Sequence, residues 1–231
     1  MDNVDNEDRG FAALAALNEP QRRRLYRYVA AQDSAVSRDA AATSLGLPRS
    51  VAAFHLEKLA GLGLLEIEYR RPPGRTGPGA GRPTKLYRRA RIEIAMSVPE
   101  RHYDLAAFLL AQAVEDAADG SAPVAETLRA VARKYGSSIG EQMYSSKRRS
   151  RRRLAEHLSE LLAEHGYEPH IEGTTITLRN CPFHALVEEH RDLICAMNHE
   201  LIKGVAEGAG LAASAARLDP QPGRCCVSLM A

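Results

Sequence analysis

PRSVAAFHLEKLAG, residues 48–61, follows a Gly46-Leu47 turn and winds into a helix with two unlike faces. At about 100° per residue, Val51, Ala52, His55, Leu56, Leu59 and Leu62 fall on one side, and Arg49, Ser50, Ala53, Phe54, Glu57 and Lys58 on the other. An ordinary amphipathic helix with a chance Phe54 is one reading. A helix for the DNA major groove is the other, because that groove takes donors for base edges and phosphates and apolar atoms for thymine methyl groups.

The neighbouring residues favour the second reading. Upstream, Ser37 stands at an N-cap, Ala40, Ala41 and Leu45 form an apolar stripe, and Gly46 suits the left-handed residue that ends a helix. Downstream, LLEIEYRR (64–71) alternates Leu65, Ile67 and Tyr69 with Glu66, Glu68 and Arg70. The Gly/Pro-rich PPGRTGPGAGRPT comes next, then a second strand in KLYRRARIEI. Helix, turn, helix and hairpin make a winged helix, which places Arg49, Ser50, Ala53, Phe54 and Lys58 toward double-stranded DNA. Arg70, Arg71, Arg75, Arg82 and Lys85 of the wing would reach phosphates or a minor groove. The charge agrees: residues 20–91 hold fifteen Lys/Arg against five Asp/Glu, within a chain of formal net charge +2.

The rest of the chain frames this element. Residues 1–10 are polar and read as disordered, and Phe11 to Leu17 as a short lead-in helix. In the helix from Glu19 to Ala31, Pro20 suits the first position. Leu25, Tyr28 and Val29 face inward, and Arg22, Arg23, Arg24 and Arg27 stay in solvent. After the wing, helices are predicted over Tyr103 to Ala118, Val124 to Tyr135 and Leu154 to His165; the first two either pair two subunits or pack within one domain. The basic run KRRSRRR (147–153) reads as solvated surface or as an extension of the DNA footprint. No apolar run approaches a membrane span and the N-terminus lacks a signal-peptide pattern, so a soluble cytoplasmic protein is expected. No carboxylate pair, Ser-His-Asp set or phosphate loop stands out, so no enzyme is expected.

All four cysteines, Cys181, Cys195, Cys225 and Cys226, lie in the last third. In a reducing compartment such a set is metal-binding, redox-active or simply buried more often than disulfide-bonded. A straight helix would put Cys181 and Cys195 about 20 Å apart, so a shared site needs a break. The sequence offers one at His190-Arg191-Asp192, with Cys181 at the N-cap and Pro182 at the start of the first segment. Cys225 and Cys226 would alternate across a closing strand from Arg224 to Met230, leaving one to join Cys181 and Cys195. His184 is the first choice for the open position, ahead of His190 and His199. Three thiolates and an imidazole suit zinc as well as iron-sulfur.

The stretches FHLEKLAGLGLLEIEYRRPPGRTGPGAGRPTKLYRR, NCPFHALVEEHRDLIC and PGRCCVSL resemble the SufR-like branch of the ArsR/DeoR-type winged-helix regulators. The resemblance implies a dimeric repressor that acts while an iron-sulfur cluster, expected as 4Fe-4S, is bound, and the two-fold symmetry of a homodimer predicts a palindromic operator. It implies Cys181, Cys195 and Cys225 as the cluster ligands, a three-cysteine pattern from which the adjacent Cys226 departs; His184 or Cys226 is the candidate further ligand, and a zinc or organic-effector site is the alternative to the cluster. The expected fold is α+β. Residues 1–18 form a tail and lead-in helix, 19–98 the winged helix, 99–165 the dimerisation helices and 166–231 a small α+β sensor domain.

Overall fold

The computed structural model describes residues 2–71, 83–118, 120, 122–142 and 151–231. It is a mixed α/β structure with eight α-helices and two small sheets among the described residues, divided into two compact units, Met1–Ala95 and Met96–Ala231.

The first unit begins with α1 (Asp2–Asn18) and α2 (Pro20–Ala30). The expected disorder of residues 2–10 is replaced by helix: α1 has a partner in α2, and its small residues Ala13 and Ala16 are buried. Glu19 caps α2, accepting from the backbone amides of Gln21 (3.0 Å) and Arg22 (2.6 Å). Two of the arginines expected in solvent are half-buried instead: Arg22 donates to His55 Nδ1 (3.4 Å) and Arg23 to the Leu17 carbonyl (3.2 Å). Then come β1 (Val36–Ser37), α3 (Arg38–Leu45), α4 (Arg49–Gly61), β2 (Leu65–Arg70) and β3 (Thr84–Arg89). The sheet is antiparallel in the order β1-β3-β2, with Tyr87 opposite both Val36 and Ile67. Leu25, Leu56, Leu59, Leu65 and Tyr87 fill the core under the helix-turn-helix. Each fully buried leucine contributes about 2 kcal/mol by removal of apolar surface from water. The expected inward alternation of β2 stops at Leu65: Ile67 and Tyr69 are exposed, because the helices cover only the base of the hairpin.

The second unit contains α5 (Tyr103–Asp116), α6 (Val124–Glu141), α7 (Arg151–Ala163), β4 (Pro169–Glu172), β5 (Thr175–Leu178), α8 (His184–Gly208), β6 (Ala216–Leu218) and β7 (Val227–Met230). Its antiparallel sheet runs β4-β5-β7-β6. The segments 99–165 and 166–231 thus lie in one compact unit, because α8 is buried on two sides. Ile194, Met197 and Leu201 pack toward α5 and α6, while Ile202, Val205 and Ala206 pack against α7 and the sheet.

α6 runs two turns beyond the expected end at Tyr135, through Gly136 and Gly140. A glycine inside a helix costs up to about 1 kcal/mol relative to alanine. Here both glycines lie against Gly204 and Gly208 of α8, at a crossing where backbone touches backbone. A Cβ at Gly136 would stand 2.0 Å from the Leu201 carbonyl oxygen, and one at Gly204 would stand 2.0 Å from that of Arg133. Arg133 closes the crossing with a two-point ion pair to Glu207 (2.6 and 2.8 Å) and a longer contact to Glu200 (3.4 Å).

Candidate functional site

In the first unit the two helices of the motif are shaped by local chemistry. Ser37 Oγ accepts from the Ala40 amide at 3.1 Å, capping α3. Gly46 turns the chain at φ 64°, and the Leu47 amide returns to the Ala42 carbonyl at 2.9 Å. α4 then starts at Arg49. Ala52, His55, Leu56 and Leu59 are buried, and Arg49, Ser50, Phe54, Glu57 and Lys58 are exposed, with Ala53 half-buried. His55 sits between Arg22 and Glu19 (3.6 Å), and Phe54, 63% exposed, packs edge-on against its ring.

Several of the expected DNA-contacting cations already have partners. Arg49 pairs with Asp39 at 2.5 Å, and Arg70 with Glu68 at 3.5 Å. Lys85 pairs with Glu57 of α4 at 2.6 Å. The Tyr87 hydroxyl donates to the same carboxylate at 2.6 Å. These two bonds, Lys85 first, hold the Glu57 carboxyl below its ordinary range, while burial and the Glu57 contact push the Tyr87 hydroxyl up. Arg88, which sequence reasoning passed over, bridges Glu66 (2.5 Å) and Glu68 (3.0 Å). The register pairing Glu66 with Arg88 would have found it. Lys58 and Arg71 are exposed. Arg75 and Arg82 lie outside the described residues.

Residues 17–68 match the family model of a helix-turn-helix domain, a span from the end of α1 into β2. Such a domain indicates a DNA-binding transcription regulator. No curated protein and no solved structure matches the chain. No helix of the described residues is long and apolar enough to cross a membrane.

The regulator's second unit brings its cysteines together. α8 breaks at His190 (φ −128°, ψ 43°), and Cys195 follows the break by little more than one turn. Cys181 precedes the helix and is not its N-cap: α8 begins at His184, whose amide returns to the Cys181 carbonyl at 3.1 Å. Cys225 and Cys226 precede β7, which begins at Val227. Strand alternation therefore does not separate them, and both are buried. The thiols neighbour one another closely enough to shift each other's ionisation, in the order Cys181, Cys225, Cys226, Cys195. The neighbouring Cys225 thiol holds Cys181 below its ordinary range and brings Cys226 down to about 6. Cys225, between Cys181 and Cys226, is pushed up by those neighbours, and burial pushes Cys195 up to about 12. Arg101 and Arg191 add positive charge beside Cys181 and Cys226.

Further polar groups surround this cluster. Buried Asn198 donates to Cys225 Sγ at 3.2 Å and accepts from the Tyr167 hydroxyl at 2.5 Å. Arg101 donates to the Asn180 side chain and to the Cys181 carbonyl (3.1 Å), and Asn180 donates to the carbonyls of Glu100 (2.9 Å) and Gly166 (2.6 Å). The three histidines considered as ligands stand otherwise. His184 is exposed and pairs with Glu188 at 3.5 Å, His190 is exposed at the helix break, and His199 contacts the Ala216 carbonyl at 3.3 Å. Among the described residues no set of three or more His, Cys, Asp or Glu side chains is arranged to hold a metal ion. The thiols are therefore neighbours without forming a coordination shell. Their chemistry fits a soft metal or an iron-sulfur cluster: four sulfurs from three elements, two of them inclined to the thiolate, with arginines alongside. A nearby apolar crevice between Tyr167, Phe183, Leu201 and Ile202 has space for about one water molecule, too little for an organic effector.

Proposed function

We propose that this chain is a homodimeric winged-helix repressor whose operator binding is gated by an iron-sulfur cluster held on Cys181, Cys195 and Cys225, with Cys226 beside them. The observation that carries this reading is the convergence of four thiols from three separate elements close enough to act on one another. In the cytoplasm, thiols so placed stay reduced and serve as ligands. A bound cluster supplies an oxidant-sensitive tie among those elements. The chain's own part is to present the sulfurs: the break at His190 lets Cys195 face the loop of Cys181, and the lead-in to β7 carries Cys225 and Cys226 to both.

On DNA, α4 enters the major groove with Arg49, Ser50, Ala53, Phe54 and Lys58, and the hairpin cations Arg70, Arg71, Arg75, Arg82 and Lys85 meet the backbone. A two-fold dimer reads a palindrome. The pairing surface in this reading is the outer side of α5, where Tyr103, Phe108 and Val114 are exposed, since α6 is engaged with α8.

A connected set of four thiols, rather than three and a histidine, favours zinc as the second reading, because zinc takes four cysteines in closed structural sites. Anaerobic purification with iron, sulfide and zinc analysis, followed by operator titration before and after air exposure, separates the two. Iron and sulfide with oxygen-sensitive binding support the cluster. One zinc per chain with indifferent binding supports the second reading, and tight operator binding by protein free of both refutes gating.

A further inference from the structure

Asn198 is an amide inside a helix, 1% exposed, among Met197, Leu201 and Ile202. A polar group there costs roughly 1–3 kcal/mol unless hydrogen-bonded. Its bonds form a directed chain. The Tyr167 hydroxyl, itself buried after the Gly166 turn, donates to Oδ1, and Nδ2 donates to Cys225 Sγ. The chain ends on sulfur, an acceptor that an apolar pair in its place would leave bare.

Asn198 also stands three residues after Cys195, on the same side of α8. One turn of helix thus presents a thiol and, beside it, an amide directed at the sulfur of a different element. Among the described residues no other cysteine sulfur accepts from a side-chain amide. An N–H bond to sulfur fixes the direction of the sulfur's remaining lone pairs, as an outer group orients a metal ligand.

We infer that Asn198, held by Tyr167, is a positioning residue that selects Cys225 over Cys226 as the metal-ligating sulfur of the β7 lead-in. The inference rests on the thiol centre proposed above and adds to it a specific ligand and the group that aims it. A buried polar pair with only a packing role is the competing account.

The probe is Co²⁺ alone, added anaerobically to the metal-free full chain and followed by thiolate-to-cobalt charge-transfer absorbance. Asn198→Leu removes the donor but orphans the Tyr167 hydroxyl. Asn198→Leu combined with Tyr167→Phe removes both polar groups and keeps the core filled, which secures the fold. Cobalt affinity of this pair of substitutions is expected to fall about 10- to 100-fold, the usual effect of losing a group that orients a ligand. The decisive comparison repeats the pair in Cys225→Ser and Cys226→Ser backgrounds. The loss should vanish in the first, where its target sulfur is gone, and persist in the second. Unchanged affinity in the parent background, or equal losses in both serine backgrounds, overturns the assignment while leaving the thiol centre intact. Absence of a charge-transfer band in the unsubstituted protein overturns the thiol centre, and this inference with it.

Discussion

Gly204→Ala would drive a methyl group into the backbone of the facing helix. The new Cβ would lie 2.0 Å from the Arg133 carbonyl oxygen and 2.8 Å from the Ser137 amide nitrogen. Ordinary van der Waals contact begins near 3.4 Å. The obstructing atoms are backbone, so no side chain can rotate away, and α6 and α8 must part by on the order of 1 Å. Overpacking of a well-filled contact costs about 1–3 kcal/mol. A rigid obstruction belongs at or above the top of that range, and the better helix propensity of alanine returns about 1 kcal/mol. The expected net loss for the second unit is about 2–3 kcal/mol, or roughly 8–10 °C in Tm for a unit of this size. Calorimetry that resolves two transitions is the assay, with Gly61→Ala as the control because its Cβ would meet nothing within 4 Å. A Gly204→Ala protein melting within about 2 °C of the parent would refute the interlocked crossing.

Burial holds His199 below its ordinary pKa, so the folded second unit binds fewer protons there than the unfolded chain. The associated stability is present above about pH 6.5 and is lost as pH falls through the folded value. Urea midpoints at pH 7.5 and 5 should therefore diverge less in His199→Gln than in the parent; equal divergence would contradict this. Ser37→Ala removes the cap on α3 and should cost the first unit about 1 kcal/mol, read from its own transition. Phe54→Ala should leave stability within about 0.5 kcal/mol, since the ring is exposed, and should weaken operator binding with a changed base preference in a binding-site selection. Lys58→Ala should lower affinity for specific and random duplexes alike and reduce the log–log salt slope by about 1 in titrations across salt concentrations.

The helix-turn-helix was legible because its signals are local. Ser37, Gly46 and the inward set Ala52, His55, Leu56 and Leu59 each act within one or two turns, and each does in the structure what its chemistry suggests. The three cysteine-bearing segments and the break at His190 were legible for the same reason. What failed depended on distant partners. Gly136 and Gly140 look like helix breakers until α8 supplies the backbone they press against. Cys225 and Cys226 look like alternating strand residues because nothing nearby reveals that pairing with β5 and β6 begins only around Val227. Asn198 gave no signal at all, since a lone asparagine in an apolar helix acquires meaning only from Tyr167 and Cys225.

The carboxylates of the first unit bear on how such a protein finds its site. If the hairpin meets a duplex, Lys85 and Arg88 would arrive already in the company of Glu57, Glu66 and Glu68. A phosphate that captures one of them must displace a carboxylate and leave that charge beside the DNA. The exchange therefore gains less than the capture of a free cation, and releases fewer ions. Random sequence, which offers phosphates alone, would be held briefly. A chain so built would leave wrong sites quickly, and only where bases also answered α4 would the encounter last long enough to matter.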